Sequence, residues 1–167
     1  MKTLLLLLSL FALAACGGEG PPAVAPAPAA SDLPESFHAA AADARAVDVF
    51  DLRAEGKDGQ EIVVKGTVQD IAERYAALVL FDESLEDCSE RPADTCATPW
   101  DYCCVEESVK AAGQVPVEFF DGGAPGKWHV EGFHGLGRLS EVVVAGTLHV
   151  DEHANMRITA ASIHVRE

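Results

Sequence analysis

Four of the five cysteines stand between residues 88 and 104, in the stretch CSERPADTCATPWDYCC, separated by seven residues, then six, then none. Thiols gathered this closely support three kinds of chemistry: structural disulfides, a soft-metal site made of thiolates, or disulfide exchange with a partner. The pattern has no C-x-x-C, and adjacent cysteines such as Cys103 and Cys104 seldom both reach one tetrahedral ion. That spacing favours bridges over metal. No cofactor is therefore expected, with zinc or copper at Cys88, Cys96, Cys103 and Cys104 as the alternative. Trp100, Asp101 and Tyr102 lie inside the same stretch and form a candidate binding loop. A second cluster is His149, Asp151 and His153, at an expected hairpin tip. It could hold a divalent cation weakly, since imidazole suits zinc or copper; a solvated polar turn is the competing reading. His129 and His134 flank Gly132 and Phe133 and read as the same kind of polar turn.

The chain carries none of the spacings that demand catalysis. It has no G-x-S-x-G, no phosphate-cradling glycine loop and no H-E-x-x-H. Its many carboxylates form no pair that requires acid–base work. A non-enzyme is expected. The net charge is −15 over 167 residues, which opposes binding to phosphate backbones and excludes nucleic acid as a partner class.

The first fifteen residues hold Lys2 and then the apolar run LLLLLSLFALAA. That run is too short to span a bilayer and reads as a secretory signal. The residues Leu13-Ala14-Ala15-Cys16 resemble the lipobox of bacterial lipoproteins. The resemblance implies cleavage before Cys16, a diacylglyceryl group on its sulfur, and, because Gly17 rather than Asp follows, sorting to the outer membrane, facing the periplasm. Two or three acyl chains, at about 0.8 kcal/mol per buried methylene, anchor a protein stably where one does not. Residues 17–34, GGEGPPAVAPAPAASDLP, are Pro/Ala/Gly-rich, and residues 16–42 together read as a lipidated tether. At about 3.1 Å per residue, the Pro/Ala stretch could hold a domain roughly 50 Å from the membrane.

Export places the thiols in an oxidising compartment, where disulfides persist. A bridge between Cys103 and Cys104 would close a strained ring across one peptide bond. Two pairings remain: Cys88–Cys103 with Cys96–Cys104, or Cys88–Cys104 with Cys96–Cys103. Either would tie an insertion of about thirty residues, 83–114, which is too long to lie structureless in a small domain.

The elements that must position this insertion are mostly strands. Residues 61–71 alternate, with Ile62, Val64, Gly66 and Val68 on one face. Residues 75–82 are apolar on both faces. Residues 115–120 form a third strand in which Pro116 asks for an edge. Residues 121–126 turn the chain, as a hairpin to 128–131. Residues 132–140 are irregular, with Phe133, Leu136 and Leu139 as plugs. Residues 141–150 place Val142, Val144, Gly146, Leu148 and Val150 inward. Residues 157–165 slip parity near Ala161-Ser162, the mark of a bulge. Helices are expected at 39–52, from alanine content and the spacing of Val47 and Phe50, and at 105–112. Gly66 and Gly146 each put a glycine on the buried face of a strand, which marks a bend or a close backbone approach.

Together, the lead helix, the Val64-Lys65-Gly66-Thr67-Val68 strand and the closing VVVAGTL…MRITAASIHV hairpin resemble the OB-fold of bacterial envelope domains. The resemblance covers roughly residues 45–82 and 115–167. It implies a mainly β protein: a small OB-like barrel of five to six strands over residues 43–167, with a short N-terminal helix and a disulfide-tied insertion after the second strand. The chain departs from the pattern in having only 132–140 where the fold usually places a helix. The haem-attaching His and nearby Tyr of the OB-type haem chaperone have no counterpart after His164, so haem handling is not implied. Barrel-mouth loops are where such folds bind. The expected function is a membrane-anchored binding or scaffolding module for an envelope protein or glycan; a soft-metal or thiol-redox carrier is the alternative.

Overall fold

A computed structural model describes residues 30–72, 75–91, 98 and 100–166. The expected signal and much of the expected tether, including Cys16, lie outside that range, as does Cys96. Six strands account for most of the fold: β1 (Glu61–Ile71), β2 (Ala77–Phe81), β3 (Gln114–Asp121), β4 (Ala124–Pro125), β5 (Glu141–Val150) and β6 (Met156–Val165). The ladder runs β2-β1-β5-β6-β3-β4, and β2 also pairs with β3. Those five long strands close a barrel, with β4 as a two-residue addition on β3. The β3–β6 contact is parallel, while the other strand pairs are antiparallel.

Alternation builds the core. Ile62, Val64 and Val68 of β1 point inward together with Val142, Val144 and Leu148 of β5 and Ile158, Ala160 and Ile163 of β6. Both inward-facing glycines mark close backbone approaches. A Cβ on Gly66 would come within 2.6 Å of the Phe81 carbonyl oxygen, and one on Gly146 would collide with the Thr159 carbonyl and the Ala160 backbone. The β5–β6 register shifts beside Gly146. Ala145 faces Ser162 and Gly146 faces Ala160, so Ala161 is the unpaired residue of a bulge. A second shift lets Gln69 bulge from β1, between Val68 opposite Leu80 and Asp70 opposite Val79. Bulges increase local twist and bend a strand, which is how so small a sheet closes. Pro116 sits opposite Val79 of β2, and pairing of β3 with β6 begins only at Val117. The missing N–H therefore falls where the strand has a partner on one side.

Three expectations are corrected. The helix expected over 39–52 is confined to α1 (Val49–Glu55). Helix propensity over 39–48 loses to pairing with the barrel: the Ala39 amide donates to the Ile163 carbonyl, and Val47 exchanges hydrogen bonds with Val63 and Lys65. Residues 128–131 are not a strand, because the hairpin after β3 closes already at Ala124–Pro125. The end of the expected tether over 16–42 is not a spacer: residues 31–48 run as a strap packed on the barrel. Leu33 is buried, and the Phe37 ring meets Phe119 edge-on at 5.2 Å and Trp128 at 5.7 Å. Phe133 and Leu136 plug the barrel as expected, and Leu139 is half-buried with a φ of 64°. Among the described residues, no helix is long and apolar enough to cross a membrane.

Candidate functional site

The insertion between β2 and β3 is held at its base and at one point along its length. At the base, the Asp82 amide donates to the Gly113 carbonyl at 2.8 Å, which brings the two ends together. The Asp82 carboxylate is buried. It accepts from the Phe50 amide of α1 at 2.9 Å, from the Ser84 amide at 3.0 Å and from the Ser84 hydroxyl at 2.6 Å. Burial pushes its pKa up, but the hydrogen bonds from Ser84 and the helix backbone outweigh this and hold it below the usual carboxylate value. The residue at the start of α1, Asp48, makes no side-chain cap; Asp82 caps the helix across the fold instead. Further along, the Tyr102 ring lies against Phe81, centroid to centroid at 4.5 Å, and is almost fully buried. Its hydroxyl is pushed up to about 12, first by burial and then by the Asp87 and Glu90 carboxylates.

These anchors bring three of the four cysteines together. The Cys88 amide donates to the Asp101 carbonyl at 2.9 Å, which pins the 3-10 turn Cys88–Glu90 beside the segment after Trp100. The Val105 amide donates to the Tyr102 carbonyl at 3.0 Å, so Cys103 and Cys104 are the two central residues of a turn. The sulfurs of Cys88 and Cys103 are 3.2 Å apart, and those of Cys103 and Cys104 are 3.9 Å apart. All three lie within 4.8 Å of one another. A sulfur–sulfur bond measures about 2.05 Å, so Cys88 and Cys103 are in contact and not bonded in this structure. The Cys88 sulfur is in the buried part of the cluster; Cys103 and Cys104 face solvent. Lys110 contributes positive charge. Its ammonium bonds Glu107 at 2.6 Å, and its pKa is raised, chiefly by that bond, with smaller contributions from Asp101 and the Cys103 sulfur.

The expected binding loop divides in three. Trp100 is exposed, with the Arg138 guanidinium 5.7 Å from its ring centroid, and Arg138 also bonds Asp70 at 2.6 Å. Asp101 accepts from the Tyr102 amide at 2.7 Å. Tyr102 is turned inward. A ligand meeting this loop would therefore touch Trp100 rather than Tyr102.

The second expected cluster is not assembled as a ligand set. Asp151 accepts from the amides of His153 and Asn155, both at 2.8 Å, and from the Asn155 side chain at 2.7 Å. These bonds, the Asn155 side chain first, lower its pKa. His149 is turned to the Thr159 hydroxyl at 3.0 Å, and His153 lies 3.5 Å from Glu152. Among the described residues, the three cysteines are the sole group with metal-ligand spacing. A histidine arrangement that sequence spacing did not signal lies under the strap. His38 stacks on His134 at 3.7 Å, His134 bonds Glu35 at 2.8 Å, and His164 donates to the Ala39 carbonyl at 2.8 Å. Residues 38, 134 and 164 meet only because the strap runs beside β6.

No protein-family model matches the chain, and no curated protein matches it either.

Proposed function

We propose that this protein is an exported, lipid-anchored binding module of the bacterial envelope. In this reading Cys16 carries the acyl anchor and the residues between it and Ser31 act as the spacer, because Ser31, Asp32 and Leu33 are already packed on the domain. The closed barrel is an OB-like scaffold, supported by its strand order and the parallel β3–β6 pairing. The insertion is its presenting loop, stapled by Cys88–Cys103 and Cys96–Cys104 bridges. The observation that carries the reading is the 3.2 Å approach of the Cys88 and Cys103 sulfurs in the insertion that also carries the exposed Trp100. That distance supports Cys88–Cys103 over Cys88–Cys104, since a bridge there needs only a small closure. Each bridge would add about 2–4 kcal/mol, mainly by restricting the unfolded chain. The partner class is an envelope protein or a glycan, met at Trp100 and Arg138.

The test uses the native host. Metabolic labelling with palmitate should mark the wild-type protein and not Cys16→Ala. In-cell crosslinking from a photoreactive residue at Trp100 should trap a discrete partner band or glycan ladder, and the same probe at Glu152 should not. Equal yields from both positions, or no acyl label, would refute the reading.

A further inference from the structure

A groove of about 470 Å³ lies between the strap, α1 and the first residues of β1, and no residue of the insertion lines it. We infer that this groove docks an extended basic segment of a partner protein. The segment adds as a short strand to the open edge of β1 at Glu61–Val63, and its lysines or arginines meet Asp51, Glu55 and Glu61. This surface is separate from the Trp100 face and does not rest on it.

The open edge follows from how the strap meets the barrel. Along an antiparallel ladder, successive residues turn their backbone groups to opposite sides. Gln60 and Val68 turn theirs to the β5 side, where they bond Leu148 and residues 139–140. Residues 61, 63 and 65 therefore face the other way. On that side β2 pairs with β1 only from Thr67 onward. The Val63 carbonyl and the Lys65 amide both bond Val47 of the strap, in an isolated bridge. A second rung would take the Arg45 amide to the Glu61 carbonyl. That amide instead donates to the Asp43 carboxylate at 2.9 Å, and the Ala46 amide donates to the Asp43 carbonyl at 3.2 Å. Residues 43–46 are thus closed into a turn, and the Glu61 carbonyl and Val63 amide face the groove without a strand partner.

The side chains select the occupant. Val47 is 40% exposed at the rim, above the buried Leu52 and Ile62, so the groove offers apolar contact. Its charge is negative. Asp51 and Glu55 stand four apart on one face of α1, both exposed, and neither joins an ion pair among the described residues. Arg45, the one cation lining the groove, is committed to Asp43 at 2.6 Å. Complementarity therefore asks for cations on the partner. A second copy of this chain, at a net charge of −15, meets the edge with the wrong sign. Backbone pairing gives the affinity, and the carboxylates choose which segment is paired.

The experiment uses the full chain in detergent and a fluorescent, end-capped seven-residue peptide that alternates lysine and valine. Anisotropy at low ionic strength should show saturable binding. Hydrogen exchange over residues 60–65 should slow when the peptide is present. Asp51→Asn combined with Glu55→Gln, at exposed positions that leave the thermal midpoint unchanged, should weaken binding about tenfold. The same peptide N-methylated at every residue keeps its charge but loses its backbone donors, and should not bind. Equal binding by the N-methylated peptide, or displacement of the peptide by spermine at matched charge, would mean a cation surface only and would overturn the inference. Absence of saturable binding, undiminished binding by the double variant, or protection confined to residues outside 43–65 would overturn it as well. So would self-association of the chain through the same edge.

Discussion

Asp82 shows how much of this site depends on single polar atoms. Its carboxylate joins the base of the insertion to the start of α1 through three hydrogen bonds in a buried position. Asp82→Ala leaves the Phe50 amide without its partner, which should cost about 1–3 kcal/mol. Urea denaturation at neutral pH reads that loss as a lower midpoint. The sign of the pH dependence follows from the lowered pKa. The stabilisation is fully present above the unfolded carboxyl value of about 4 and is lost as pH falls through the lower folded value. The difference between wild type and variant should therefore shrink on acidification; a difference independent of pH would contradict the ionised cap. Nothing in the sequence marks Asp82. Its partner Phe50 lies 32 positions away, and local capping rules point to Asp48, whose side chain makes no cap. Tyr102 was legible as an aromatic in the loop, but its inward turn depends on Phe81, which only the folded β2 supplies.

At the scale of elements, period-two alternation was sufficient wherever a strand has one wet face. The limits of β1 and β5, the inward glycines and the Ala161 bulge all follow from that pattern. The strap did not, because its alanines favour a helix while backbone pairing with β1 and β6 decides the outcome. Gly146 gives the sharpest test at this scale. Gly146→Ala places a methyl against the Thr159 carbonyl, and overpacking of this kind costs about 1–3 kcal/mol or more. Gly137→Ala, at a position with open space, should stay within about 0.5 kcal/mol of wild type. Thermal melts of the two variants compare them directly, and equal midpoints would deny the close approach of β5 to the β6 bulge. The insertion should open separately from the barrel. Tyr102→Ala removes the ring packed on Phe81, so hydrogen exchange over 83–113 should accelerate while β1 and β5 stay protected. Uniform loss of protection would mean that the insertion and the barrel open together.

For the whole molecule, the strap and the insertion both pack on the barrel, and the proposed export address in the first sixteen residues would account for the thiols. The barrel leaves little strand edge for self-association. The net charge of −15 opposes contact with anionic surfaces, so in the proposed reading attachment to a membrane would depend on the acyl anchor. Export, anchoring and stapling thus stand as one proposal, because an oxidising compartment would turn the 3.2 Å sulfur contact into a bridge. Intact and peptide-level mass spectrometry of the protein, drawn from its host's membranes without reductant, tests them together. The account predicts a chain beginning at an acylated Cys16, with a Cys88–Cys103 crosslinked peptide and no alkylatable thiol. A chain that still begins at Met1, with Cys88 and Cys103 both alkylated, would contradict it.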